Sequence, residues 1–88
     1  MTYAERMRHK LTEGLAPARL EIEDDSNRHH GHAGSHPSGE THFTVRVVSE
    51  KFRGLGRVAR QRLVYGLLKD ELTERVHALA LETKAPGE

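Results

Sequence analysis

The chain has 88 residues, 35% hydrophobic and 31% charged, with 14 basic against 13 acidic side chains, seven histidines and no cysteine. That length supports one two-layer domain, which buries only about 60–65% of the surface its unfolded form exposes, and the composition excludes a disordered or membrane-spanning chain. A net charge of +1 lacks the basic excess of most nucleic-acid binders, and without cysteine the chain can build neither a disulfide nor a thiolate metal site by itself.

Thr2 and Glu5 stand at capping-box spacing, and Met7, Leu11 and Leu15 recur at four-residue steps, so the spacing predicts a helix over Thr2–Leu15. Gly14 and Pro17 are its stop signals, and His9 is expected on its surface. Arg19–Asp24 alternates Leu20 and Ile22 with Glu21 and Glu23, the pattern of a short strand. Residues 25–41 are rich in Gly, Ser, His and Pro and read as a long loop.

His42–Ser49 alternates again, with Phe43, Val45 and Val47 inward and His42 turned to the opposite face or edge. Lys51–Gly56 is a turn whose two glycines suit positive φ or close approach, with Phe52 packing over the edge of the core. A second helix is predicted over Arg57–Leu72, where Val58, Leu63, Tyr65, Leu68 and Leu72 make an apolar face widened by Val64 and Leu67. Gly66 within it costs about 1 kcal/mol relative to alanine and is expected to permit close packing against the sheet. Val76–Thr83 puts His77, Leu79 and Leu81 on one face and Ala78 and Ala80 on the other, where small side chains leave room for a helix. The expected core is Met7, Leu11, Phe43, Val45, Val47, Val58, Tyr65, Leu68 and Leu72. The fold is expected to be α+β in the order α-β-β-α-β, a single domain over residues 1–88 with two helices on one face of a three-stranded mixed sheet.

Two features carry chemistry. The stretch Asn27–His42, NRHHGHAGSHPSGETH, holds five histidines in sixteen residues, which suits either a solvated polar loop or zinc or nickel capture by His29, His30, His32 and His36. Lys51, Arg53, Arg57, Arg60 and Arg62 gather around the turn and the start of the second helix, as a solvated face, a dock for an acidic partner or a phosphate contact. The turn reads RGLG, G-x-G rather than the GXXG of KH nucleic-acid loops. No catalytic triad order and no cysteine nucleophile is present, so a protein that is not an enzyme is expected. No apolar run nears the roughly 20 residues that cross a bilayer, and MTYAERMRHK lacks the hydrophobic segment of a secretory signal. A cytoplasmic protein without membrane attachment is expected.

The stretches DDSNRHHGHAG, GETHFTVRVVSEKFRGL, RQRLVYGLLKDEL and VHALALETKAP, in this order and spacing, resemble the BolA family over nearly the whole chain. The resemblance implies a fold similar to a class II KH domain. It also implies a role as partner of a monothiol glutaredoxin, with which members share a bridging [2Fe-2S] cluster, or as a DNA-binding regulator of cell shape, transcription and stress response. His77 matches the family's histidine of the last strand. His29 matches the ligand of the loop between the first two strands, and His32 is its alternate. The cluster would be shared with glutaredoxin and glutathione, with none in the isolated protein, and glutathione's carboxylates are further candidates for the basic cluster. A weak homodimer stays open. The family's usual Arg-His-Arg is here Arg60-Gln61-Arg62, which removes the central imidazole.

The chemistry of such a cluster demands a partner. Each iron needs two ligands beyond the bridging sulfides, and histidine can replace thiolate on one of them. Thiolates for the other iron must come from another molecule. Imidazole bonds that compete with protons near pH 6.5 suit a transferable cluster better than a structural one.

Overall fold

The structure is a computed structural model and describes residues 1–26 and 39–88. Helix α1 (Tyr3–Leu15) precedes strands β1 (Arg19–Asp24) and β2 (His42–Val48); a short 3-10 turn (Glu50–Phe52), helices α2 (Arg57–Leu67) and α3 (Lys69–Glu74) and strand β3 (Ala78–Lys84) follow. β2 is central, antiparallel to β1 and parallel to β3. A parallel neighbour requires a long crossover, and the 3-10 turn, α2 and α3 supply it. The helices cover one face of this mixed sheet, as the sequence predicts for an α+β domain.

Helix α1 begins where expected. The Thr2 hydroxyl accepts from the Glu5 amide and the Glu5 carboxylate accepts from the Thr2 amide, both at 3.0 Å, which satisfies two otherwise orphaned donors. Its end is not set by Gly14. The left-handed residue is Ala16 (φ 44°), whose amide donates to the Thr12 carbonyl. Gly14 stays helical for a packing reason: a Cβ there would lie 2.7 Å from both Leu67 methyls. The close approach expected of Gly66 belongs to Gly14, since an added Cβ at Gly66 meets nothing within 4 Å.

In β2 the residues Phe43, Val45 and Val47 are buried and Arg46 is exposed. They pack against Met7, Leu11 and Leu15 of α1 and against Phe52, Val64 and Leu68. The second helix does not run unbroken to Leu72. It breaks at Leu68 (φ −104°, ψ 16°), although the Leu68 amide still reaches the Val64 carbonyl and the Leu72 amide the Leu68 carbonyl. The face it buries holds Val64, Leu68 and Glu71, with Leu63, Leu67 and Leu72 half-buried. Val58 and Tyr65, expected in the core, are 60% and 39% exposed. Seven residues apart, they share a second helical face, and a helix lying on one side of a sheet buries only one.

Strand β3 also departs from expectation in its facing. Ala78 and Ala80 are exposed, while Leu79 and Leu81 turn toward the helices. Register explains it: Leu79 pairs with Phe43 and Leu81 with Val45, and partners across a ladder point to the same side. His77 precedes the strand rather than lying in it. At the turn, Gly54 has the positive φ expected (82°), whereas Gly56 caps α2 at φ −73°, which any residue could adopt.

Candidate metal and partner site

One end of the sheet gathers the segments that matter. The described residues break off at Ser26 and resume at Gly39, and the two sides of this loop root are stitched together. The Asp24 carboxylate accepts from the Ser26 amide (2.9 Å), the Ser26 hydroxyl and the Glu40 amide (3.1 Å). The Asp25 amide donates to the His42 carbonyl (2.7 Å), and the Thr44 hydroxyl donates to the Asp25 carboxylate. Gly39 and Glu40 take φ of 76° and 65°, reversing the chain into β2. The root is also tied to the helices: the Ala4 amide donates to Glu40 Oε1 (3.2 Å), and Arg75 Nη2 donates to the Gly39 carbonyl (2.9 Å).

His77 stands at the same end, exposed. Its amide donates to the Thr41 carbonyl (2.8 Å), as does the Ala78 amide (3.2 Å), so the backbone that carries its ring is fixed by the start of the β2–β3 ladder. The half-buried His42 ring bonds through Nδ1 to the Thr41 hydroxyl (2.8 Å). The His42 and His77 rings lie edge to face, with centroids 6.4 Å apart. Thr41 is fully buried and was not singled out from the sequence. The alternation that marks Phe43, Val45 and Val47 as inward extends back to it.

His29 and His32, together with His30 and His36, lie outside the described residues. Among the described residues no three His, Asp or Glu side chains converge on a point that could hold a metal.

The basic cluster divides in two. Lys51 donates to the Gly14 carbonyl at the end of α1 (2.9 Å). Arg53 forks onto Glu50 (2.8 and 2.9 Å) and reaches the Pro86 carbonyl. Arg60, with only 12% of its side chain exposed, binds the Leu55 carbonyl (2.8 Å) and Glu88. Bonds from Arg60 and from the Ala85 amide hold the Glu88 carboxyl down to about 2, and Glu88 in turn raises Arg60. Arg53 likewise lowers Glu50. Arg57 and Arg62 are exposed and make no ion pair among the described residues, with exposed Leu55, Val58 and Tyr65 on the same part of the molecule.

A buried carboxylate was also missed. Glu71 is fully buried, held by Arg6 Nε (3.1 Å) and Lys10 Nζ (2.9 Å) of α1. Positions 64, 68 and 71 form an i, i+4, i+7 series, so once Val64 is placed inward, helical spacing turns Glu71 inward with it.

The fold is that of a small α+β domain, with the imidazole of His77 and the guanidinium groups of Arg57 and Arg62 exposed on its surface. Residues 11–88 match the model of the BolA-like protein family, and the chain belongs to that family. It is 49% identical over 97% of its length to the chloroplastic protein BOLA1 of Arabidopsis thaliana, of which it spans 54%, about half. It is 47% identical over its whole length to an uncharacterized protein of a Sinorhizobium species, from the cobS 5′ region, covering 96% of it. Among solved structures, the BolA domain of SufE1 from Arabidopsis thaliana superposes with a TM-score of 0.87 at 45% identity, covering 98% of this chain and 94% of that one. The family is one of regulatory and adaptor proteins rather than catalytic enzymes.

Proposed function

We propose that the domain is an iron-sulfur adaptor that binds a monothiol glutaredoxin and shares a [2Fe-2S] cluster with it. His77 and one loop histidine, His29 or His32, would serve one iron; the glutaredoxin cysteine and the thiol of bound glutathione would serve the other. The observation that supports this most is the placement of the loop root and exposed His77 at one end of the sheet, joined through Thr41. Similarity to the BolA domain of SufE1 supports the link to iron-sulfur metabolism.

The donor set suits half of such a site. Imidazole is an established ligand of one iron in a [2Fe-2S] centre, and the chain has no cysteine for the other. When bound, the cluster supplies a transferable iron-sulfur unit that can also report iron or redox status. This chain's own residues orient and dock. The Thr41 carbonyl fixes the His77 backbone, the stitched root ties Asp24 and Ser26 to Glu40, and Arg57 and Arg62 beside Val58 and Tyr65 meet the partner or glutathione's carboxylates. Lys51, Arg53 and Arg60 shape the turn that presents them. A cytoplasmic location goes with this reading; among the described residues no helix is long and apolar enough to cross a membrane.

The test is reconstitution with a glutathione-loaded monothiol glutaredoxin and a cluster source. One heterodimer per cluster is expected, with visible absorption and circular dichroism bands distinct from those of a glutaredoxin homodimer. His77→Ala should abolish or reshape those bands in a protein that remains folded. Unchanged spectra would refute the assignment.

The exposed Arg57 and Arg62 also favour a second reading, regulation through DNA, to which a class II KH-like fold would belong. Specific recognition predicts tighter binding to promoter-like than to scrambled duplexes at both low and high salt. Equal, strongly salt-dependent binding to both would reduce it to incidental electrostatics.

A further inference from the structure

His42 has no place in the shared-cluster reading, yet it is the imidazole that the fold sets beside His77. Register fixes the spacing of the two backbones. His42 pairs with Ala78 across the parallel ladder, and the amides of His77 and Ala78 both donate to the carbonyl of Thr41, the residue before His42. From this juxtaposition we infer that His42 and His77 form a two-imidazole site for one borderline divalent ion, of the zinc, cobalt or nickel class, in the partner-free protein.

Three observations carry this assignment. The ring spacing is close to what coordination requires: zinc–nitrogen bonds of about 2.0–2.1 Å put two ring centres on one tetrahedral ion roughly 5 Å apart, and wider as the angle opens. The observed 6.4 Å is somewhat wider, and rotation of the exposed His77 side chain would narrow it. Second, His42 has the outer support typical of a ligating histidine. Its Nδ1 is bonded to the buried Thr41 hydroxyl (2.8 Å), an outer contact of the kind that holds the orientation of a ligating imidazole. Third, the donors are neutral nitrogens, which select borderline ions over the hard, oxygen-seeking magnesium and calcium. Water or further imidazoles would complete the coordination shell.

The site requires neither glutaredoxin nor the loop, and the inference does not depend on cluster sharing. Because His77 would serve both, ion and cluster exclude each other.

Titration of the isolated full-length chain with Zn²⁺ and with paramagnetic Co²⁺ tests this. One ion per chain is expected, and Co²⁺ should shift the ring-proton signals of His42 and His77 together in the unaltered protein. His42→Ala and His77→Ala should each weaken Zn²⁺ binding about tenfold or more, and Thr41→Val about tenfold, in line with the loss of an outer-shell partner. Joint replacement of His29, His30, His32 and His36 by alanine should leave the His42 and His77 shifts in place. Shifts confined to the loop rings, or His42→Ala binding like the parent, would overturn the assignment. Either failure is read without glutaredoxin and so leaves the cluster experiment to stand or fall alone.

Discussion

The two ends of the sheet are both cross-linked by arginines and lysines, but the links differ in burial. At the histidine end, Arg6 and Lys10 converge on fully buried Glu71, and the α1 amide of Ala4 and the guanidinium of Arg75 hold the root of the loop. At the far end, Arg53 pairs with Glu50 and Arg60 with Glu88, and the acids there are exposed. A carboxylate withdrawn from water depends on its partners, because losing them leaves an uncompensated charge. A solvated one falls back on water. The helical layer is therefore fixed most firmly where the candidate site lies.

The largest expected break in this contrast is Glu71→Ala. It should cost about 2–3 kcal/mol, somewhat less than a fully buried pair because Arg6 and Lys10 keep access to solvent. Urea denaturation would measure the loss, and amide exchange should show it concentrated at His77 and Ala78. Between the two ends, Gly14→Val drives new methyls into Leu67 and should cost about 1–3 kcal/mol. Gly66→Ala, whose Cβ meets open space, should instead stabilise by up to about 1 kcal/mol through helix propensity. Equal effects at the two glycines would contradict the packing described for α1 against α2.

The smallest effect belongs to the far end and shows in pH. The Glu88 carboxyl is lowered from an ordinary 4.5 to about 2. Its contribution is therefore complete above pH 4.5 and is lost as pH falls through about 2. Carbon-detected titration should show Glu88 returning toward its ordinary value in Arg60→Gln, with a salt-sensitive and minor change in melting temperature. A large change would mean that this exposed tether matters more than its solvation allows.

Much of this was legible in the sequence because short-range rules governed it. The capping box of α1, the bounds of β1 and the inward run Phe43, Val45, Val47 follow from periods of 3.6 and 2 that tertiary contacts did not override. What could not be read depended on long-range choices. Whether Val64 or Val58 faces inward is decided by how α2 lies on the sheet, and the facing of β3 by its register with β2. Gly14 and Gly66 look alike until Leu67 is placed against one of them. The site divides similarly: His77 was marked by family resemblance, and its proximity to the loop root emerges only from the ladder. His42 and Thr41 gain meaning only when the parallel pairing sets them beside His77, and His29 and His32 lie outside the described residues.

The parallel pairing of β2 with β3 has a consequence for synthesis. His42 and His77 are 35 positions apart in the chain, and no local hairpin can bring them together. A nascent polypeptide emerging from the ribosome cannot form the His42–His77 pair until β3 is released and docks, so ion capture at this pair should coincide with completion of the fold.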